Sequence, residues 1–430
     1  MVLTGRAVGL LALGLIPVLL LPSWLTVATW LVLVAALVGS DLALAAPVRD
    51  VRIERAPIPT VRHTEETASR LRLHNTSPRT LRALVRDAWQ PSAGTGTNRH
   101  RLTLGADQVR RVRTTLRPWR RGDMSAAAVT VRSYGPFGLA ARQRSTDVPG
   151  LLRVLPEFSA RRHLPSRLAR LREMDGRAAV NVRGQGTEFD SLREYVIGDD
   201  VRAIDWRASA RRAEVVVRTW RPERDRRVLI VLDTSRLSAA RLGEAPRLEA
   251  GIEATLLLAA LAAKAGDRVD LVAMDRTVHT RVRGVEGPAL MSALAQGLAT
   301  LTPELVEPDW AVVAQEIRDR LSQRALVVIL TGLEPGAIES GLVSVVAAVA
   351  RDHQVVLASA EDPVAQRMRR SRESTAELFD AAAAERAELE RGALAQRLQR
   401  TGAQVVRRAP EDLPPALADT YLALKAAGKL

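Results

Sequence analysis

The run RRVLIVLDTS, residues 226–235, decides the fold. Five aliphatic residues in a row, 228–232, lie between two arginines and an aspartate, and they read as a strand buried on both faces. Further apolar runs follow at 269–274, 277–282, 325–330 and 355–359, with a short last one at 404–406. Helical stretches lie between them, at about 248–265, 288–301, 310–322 and 341–352. Apolar strands alternating with helices lead to a mostly parallel sheet covered on both sides, a Rossmann-type α/β domain over 226–430. Residues 367–400 are rich in Ala, Glu, Leu and Arg, with Glu and Arg spaced for i,i+4 pairs, and read as a helical arm before the last strand. A final helix covers 417–425.

Directly upstream stands GQGTEFDSLREYVIGDDVRAIDWRASARR, residues 184–212. It carries the acids Glu188, Asp190, Glu194, Asp199, Asp200 and Asp205, and the arginines Arg193, Arg202, Arg207, Arg211 and Arg212. Single large apolar or aromatic residues separate them: Phe189, Leu192, Tyr195, Ile197, Ile204 and Trp206. Balanced charge with spaced aromatics suits a surface segment that folds back and pairs its own charges, because the arginine fork bonds a carboxylate at two points.

The pattern G-x-G-x-E-F-x-x-L-R-x-Y-x-x-G-D-D-x-R-x-I-D-W-x-x-S-A-R, residues 184–211, resembles the signature of a bacterial family, the MoxR-associated, von Willebrand A-like proteins catalogued as domain of unknown function 58. The positions that carry the resemblance are Gly184, Gly186, Glu188, Phe189, Arg193, Tyr195, Gly198, Asp199, Asp200, Arg202, Asp205, Trp206 and Arg211. RPWRRGD (117–123), SYGPFGL (133–139) and the ending YLALKAAGKL (421–430) also resemble pieces of that family. The resemblance implies a von Willebrand A-like domain whose partner is a MoxR-type AAA+ ATPase, in chaperone-like complex assembly or envelope maintenance. The signature segment is then the binding surface, or the brace that holds one.

A von Willebrand A domain holds a divalent cation with D-x-S-x-S after the first strand, completed by a threonine and an aspartate from neighbouring loops. Here Asp233 and Ser235 match, Leu237 replaces the last serine, and Gly332 stands where the aspartate is expected. No threonine is found at 285–288. Mg²⁺ asks for near-octahedral oxygens, so the resemblance implies a degenerate metal site and no cofactor.

Composition bounds the rest. The chain has 430 residues, more than one ordinary core holds, and 47% are hydrophobic. No cysteine is present, which removes disulfides and thiolate chemistry. Net charge is +15, and of 63 basic residues only Lys264, Lys425 and Lys429 are lysines. Only 3% of residues are aromatic, so stacking platforms for single strands are scarce and no specific nucleic acid is expected. Membrane lipid is the better polyanion. The apolar run 7–46 is long enough for two short spans turning at Pro22-Ser23-Trp24. Arg6 precedes it and Arg49, Arg52 and Arg55 follow, so the positive-inside rule places both ends in the cytoplasm at the cell membrane.

The expected order is therefore a membrane hairpin (1–47), a small β-sandwich of short alternating strands (48–156), an arginine-rich connector with a short helix near 164–174 (157–225), and the α/β domain (226–430). Asp41 is expected at the membrane interface, Pro136 and Gly138 are expected to turn Phe137 inward, and Arg110, Arg111, Arg113, Arg117, Arg120 and Arg121 are expected on a solvated face. No P-loop, H-E-x-x-H or G-x-S-x-G run occurs, so the function expected is that of a non-catalytic, membrane-anchored interaction protein. The competing classes are a divalent-metal-dependent adhesion-type domain and an arginine-rich lipid or nucleic-acid binder.

Overall fold

The computed structural model describes residues 1–181, 188–197, 199–212, 214–221, 226–334 and 341–430. They fall into two units, Met1–Glu157 and Phe158–Leu430.

The first unit is built on strands whose side chains alternate in and out. Its strands are β1 (Val2–Leu3), β2 (Val51–Arg55), β3 (Val61–Arg62), β4 (Thr67–Asn75), β5 (Leu81–Trp89), β6 (Arg99–Leu104), β7 (Val109–Leu116), β8 (Gly122–Tyr134), β9 (Ala140–Thr146) and β10 (Leu151–Leu155). One sheet has the order β2-β4-β7; the other runs β1-β9-β8-β10-β3, with β5 on β8 and β6 on β5. Leu71, Leu73 and Val112 of the smaller sheet share one core with Leu81, Val85, Leu104, Val129 and Val131 of the larger. Such a core follows from period-two alternation on two facing sheets. On β7 the exposed residues include Arg110, Arg111 and Arg113, while Val112, Thr114 and Leu116 point inward. A buried polar pair joins this core: Asp87 on β5 is fully enclosed and takes a two-point bond from Arg55 on β2, Nη2–Oδ1 2.9 Å and Nη1–Oδ2 3.2 Å.

The N-terminal apolar stretch forms the helices Gly5–Leu13, Leu15–Leu20 and Trp24–Leu44. Ser23 caps the last one by accepting from the Leu25 amide at 3.0 Å. With 21 residues that helix is about 32 Å long, enough to cross a hydrocarbon layer of about 30 Å. By length and composition it is the one helix among the described residues that could cross a membrane, with a mean hydropathy of 2.1 over its best window. The apolar stretch Gly5–Leu20 is shorter, about 24 Å, so the first leg of the expected hairpin is not of span length.

Asp41 is not a surface acid. It is fully buried, and its carboxylate accepts the amides of Phe137 (2.8 Å), Leu139 (2.7 Å) and Ala140 (2.8 Å). This corrects the reading of SYGPFGL as well. The backbone N–H groups of the bend turn inward to the carboxylate, and the Phe137 ring therefore points outward, 55% exposed. Gly135 is required by the same contact, because a Cβ there would lie 2.2 Å from Asp41 Oδ1. Asp41→Ala would strand three amides, and a loss of about 2–3 kcal/mol is expected for this unit in denaturant melts. An unchanged midpoint would remove Asp41 from the account.

In the second unit β11 (Glu188–Glu194) pairs antiparallel with β12 (Val216–Arg221) as a separate hairpin. The main sheet uses β13 (Arg227–Asp233), then, beyond the short pair β14 (Arg241–Leu242) and β15 (Ala245–Pro246), β16 (Arg268–Met274), β17 (Val278–Val282), β18 (Leu326–Leu330), β19 (Gln354–Ala360) and β20 (Gln404–Arg408). Its order is β17-β16-β13-β18-β19-β20, parallel throughout except for β17. Alternate residues of β13 serve opposite cores. Val228, Ile230 and Leu232 meet Leu257, Leu261, Leu294 and Tyr421; Leu229 and Val231 meet Trp310, Ile317, Val346 and Leu398. This is why the sequence shows an unbroken apolar run there.

The stretch 157–183 was expected as a connector. Its helix Leu164–Asn181 instead belongs to the α/β core, with Leu171 buried and Leu164 and Leu168 packed beside it. These three leucines are four and three residues apart, one stripe of a helix. The arm is the helix Thr375–Arg400, capped by Ser374. It is anchored by Leu394, Ala395 and Leu398 near its end and exposes Leu378, Phe379 and Leu389. The YLALK ending is explained by burial of Asp267, which accepts from Tyr421 Oη at 2.5 Å and pairs with Lys425 Nζ at 2.7 Å.

Candidate functional site

Two places hold the residues singled out in the sequence. The first is the β11–β12 hairpin. Gly184, Gly186 and Gly198 lie outside the described residues, and of Glu188 and Phe189 only the strand backbone is described. Arg193 grips Asp199 at two points, Nη1–Oδ2 2.7 Å and Nη2–Oδ1 2.5 Å, and Asp199 also accepts the Val196 amide at 3.0 Å. Asp200 caps the turn Val201–Ala203 through the Arg202 amide at 2.9 Å. Asp205 caps the helix Trp206–Arg212 through the amides of Arg207 (3.1 Å) and Ala208 (3.0 Å), and its other oxygen accepts Arg218 Nε at 2.8 Å. The Ala208 amide, then Arg218, holds the Asp205 carboxyl below the ordinary range. The Tyr195 amide closes the loop on the Val215 carbonyl at 2.8 Å.

These acids do local work: each terminates a turn, caps a helix or pairs with an arginine of the hairpin. Several of the apolar residues between them are left bare. Ile197 is 96% exposed and Trp206 69%, and Val196, Val201 and Val215 are exposed beside them in sequence. Arg202, Arg207 and Arg211 are also exposed. An aliphatic and an indole side chain held outward on a braced turn have the chemistry of an interface anchor.

The second place is the carboxyl edge of the parallel strands, where open α/β sheets bind ligands. Asp233 ends β13 and is buried. Its Oδ1 accepts the Ser235 amide at 2.7 Å and its Oδ2 the Thr331 hydroxyl at 2.6 Å. Burial pushes its carboxyl up from the ordinary value. Ser235 in turn caps the Leu237 amide at 3.3 Å. Sequence reading passed over Arg247, which decides this corner. Its side chain is buried and donates to the carbonyls of Leu237 (2.6 Å) and Ala360 (3.1 Å), and to Glu334 Oε1 (2.9 Å).

That guanidinium explains Gly332. A Cβ added there would lie 2.2 Å from Arg247 Nη1 and 3.0 Å from the Leu237 carbonyl. The Mg²⁺ that a von Willebrand A domain holds does not fit this donor set. Both Asp233 oxygens already have donors, Leu237 offers none, and a cationic side chain stands against the position of the missing carboxylate. Gly332→Asp is expected to lower stability by about 1–3 kcal/mol through overpacking rather than create tight Mg²⁺ binding. Calorimetry and melting on that variant check both halves.

A mostly parallel six-stranded α/β sheet preceded by an ion-paired hairpin, with a two-sheet β-unit upstream, is the class of protein these observations define. Residues 191–409, about half of the chain, match the family described as "Protein of unknown function DUF58", and the chain belongs to that family. Similar curated relatives include the uncharacterized protein Rv1480 of Mycobacterium tuberculosis, 26% identical over 152 residues, 35% of this chain and 48% of that protein. The uncharacterized protein Mb1516 of Mycobacterium bovis matches with the same values, 26% over 152 residues. The chain thus spans about half the length of the curated relatives it matches. Among solved structures, the PapD-like domain 7 of human CEP192 is 14% identical with a TM-score of 0.20, covering 25% of this chain and 85% of that one. The CARDB domain of PF1109 from Pyrococcus furiosus is 12% identical with a TM-score of 0.19, covering 24% and 92%. Likeness at that level carries no argument about function.

Proposed function

We propose that this protein is a membrane-anchored, non-catalytic interaction protein whose signature hairpin docks a MoxR-type AAA+ ATPase. In this reading the segment before residue 48 is a membrane hairpin with one full-length span, Trp24–Leu44, and the soluble parts face the cytoplasm. The α/β sheet, with its order β17-β16-β13-β18-β19-β20, is a von Willebrand A-like domain with a degenerate metal corner.

One observation carries the reading: Ile197 and Trp206 stand bare on a hairpin in which Asp199, Asp200 and Asp205 are committed to internal caps and pairs. A segment built only to brace a neighbour would spend its apolar side chains on that neighbour. The charged residues are the brace and the apolar residues are the surface. The test is affinity capture of the full-length tagged protein from solubilised membranes, with and without ATP. Recovery of an AAA+ ATPase in a nucleotide-dependent manner supports the proposal. Capture without any such ATPase in either condition sinks it.

A further inference from the structure

We propose that Asp275, His279 and Glu304 form a binding site for a divalent transition-metal ion of the zinc type, one strand away from Asp233. The inference stands whether or not the docking proposal does. One ligand atom from each of the three residues lies within 4.8 Å of the others. Each is put there by a different piece of main chain. Asp275 follows the last residue of β16, and its Oδ1 accepts the amides of Arg276 (2.6 Å) and Thr277 (3.1 Å). His279 lies on β17, and the tight β16–β17 turn brings its Nε2 to 2.5 Å from Asp275 Oδ2. Glu304 arrives on the loop before the helix Trp310–Arg320. That loop is pinned across the strand ends by three backbone bonds: Glu304 N to Thr234 O at 2.7 Å, Arg236 N to Val306 O at 3.0 Å and Asp309 N to Asp275 O at 3.1 Å.

The charge balance at this edge points to a cation. Asp233 and Asp275 end adjacent strands and are both buried, at 3% and 2% exposure. Among the described residues neither has an arginine or lysine partner, in a chain with 63 basic residues. Thr234 Oγ1 donates to Asp275 Oδ2 at 3.0 Å, the kind of supporting bond that orients a ligating carboxylate. Glu304 is exposed, and its carboxylate makes no hydrogen bond or ion pair among the described residues.

One imidazole nitrogen and two carboxylate oxygens suit Zn²⁺, and a site with three protein ligands keeps a fourth position open to solvent or a partner's side chain. Ligand distances of about 2.0–2.2 Å need the His279–Asp275 contact to open to about 3 Å. His279, with 28% of its side chain exposed, has room to do so. Mg²⁺, which prefers oxygen ligands and octahedral geometry, is the poorer match.

The test is zinc titration of the full-length protein, purified in detergent and stripped with a chelator, read by calorimetry and by metal analysis after dialysis. One equivalent of Zn²⁺ is expected to bind with micromolar or tighter affinity. Binding should weaken at least about 100-fold in His279→Ala and about 10-fold in Glu304→Gln, and the metal-free Glu304→Gln variant should melt like the parent chain. A chain that takes up no stoichiometric zinc overturns the proposal, since the Asp275–His279 contact is then only a hydrogen bond. So does zinc binding that survives both substitutions but is lost in Asp233→Asn, which places the ion elsewhere.

Discussion

Replacing Asp87 with alanine is expected to destabilise the β-unit by about 3–5 kcal/mol, the cost of leaving a buried cation without its partner. The Arg55 side chain is 3% exposed and that of Asp87 is fully enclosed. Besides the two-point bond, Trp89 Nε1 donates to Asp87 Oδ2 at 3.0 Å, the guanidinium lies 5.1 Å from the centre of the Trp89 ring, and it also reaches Ser69 Oγ. Gly150 sits so close that a Cβ would lie 2.6 Å from Arg55. Against a total stability of roughly 5–15 kcal/mol for a domain, the expected loss is a large share. Urea melts of Asp87→Ala and Arg55→Ala should show it, and the double variant should lose less than the sum.

The same pair sets a pH dependence. Burial pushes the Asp87 carboxyl up, but the hydrogen bond and charge of Arg55, with Trp89 and Ser69, bring it below its ordinary 3.8. A carboxyl whose folded value is depressed contributes stability that is fully present above its unfolded value and is lost as pH falls through the folded one. The β-unit should therefore lose stability as pH drops below about 4. A flat midpoint down to pH 2 would contradict this.

The second large effect is expected at the hairpin. Ile197→Asp with Trp206→Ala should weaken partner capture by about 10²–10⁴-fold, because each buried aliphatic or aromatic anchor contributes about 1.5–3 kcal/mol. Stability should barely change, since both side chains are exposed in the free chain. Arg193→Ala should behave in the opposite sense. It removes the two-point grip on Asp199, so the loop loosens, and any loss of capture should come with a lower melting temperature. The two sets of variants separate anchor from brace.

Much of the α/β sheet could be read in the sequence because its strands are continuous apolar runs. β13 and β18 lie within one or two residues of the expected 228–232 and 325–330. The hairpin's self-pairing charge was also legible, although the sequence did not say which residues brace and which stand free. What stayed hidden depends on contacts between distant positions. Asp41 serves amides 96 to 99 residues away, and no local pattern distinguishes it from an interfacial acid. Pro136 and Gly138 favour a tight bend that could turn Phe137 inward, yet that bend turns its amides inward instead. Arg247 fills the place of a missing aspartate from a helix whose apolar pattern gave no hint of it. The Asp275–His279 pair spans four residues across a turn, and Glu304 joins only when the loop is laid over the strand ends.

The central claim is that this chain works by being gripped at the β11–β12 hairpin. Its most direct test is side-by-side capture from solubilised membranes of the parent chain and the Ile197→Asp, Trp206→Ala variant, both shown to melt alike. The account predicts an AAA+ ATPase recovered with the parent and absent with the variant. Equal recovery from both chains would contradict it.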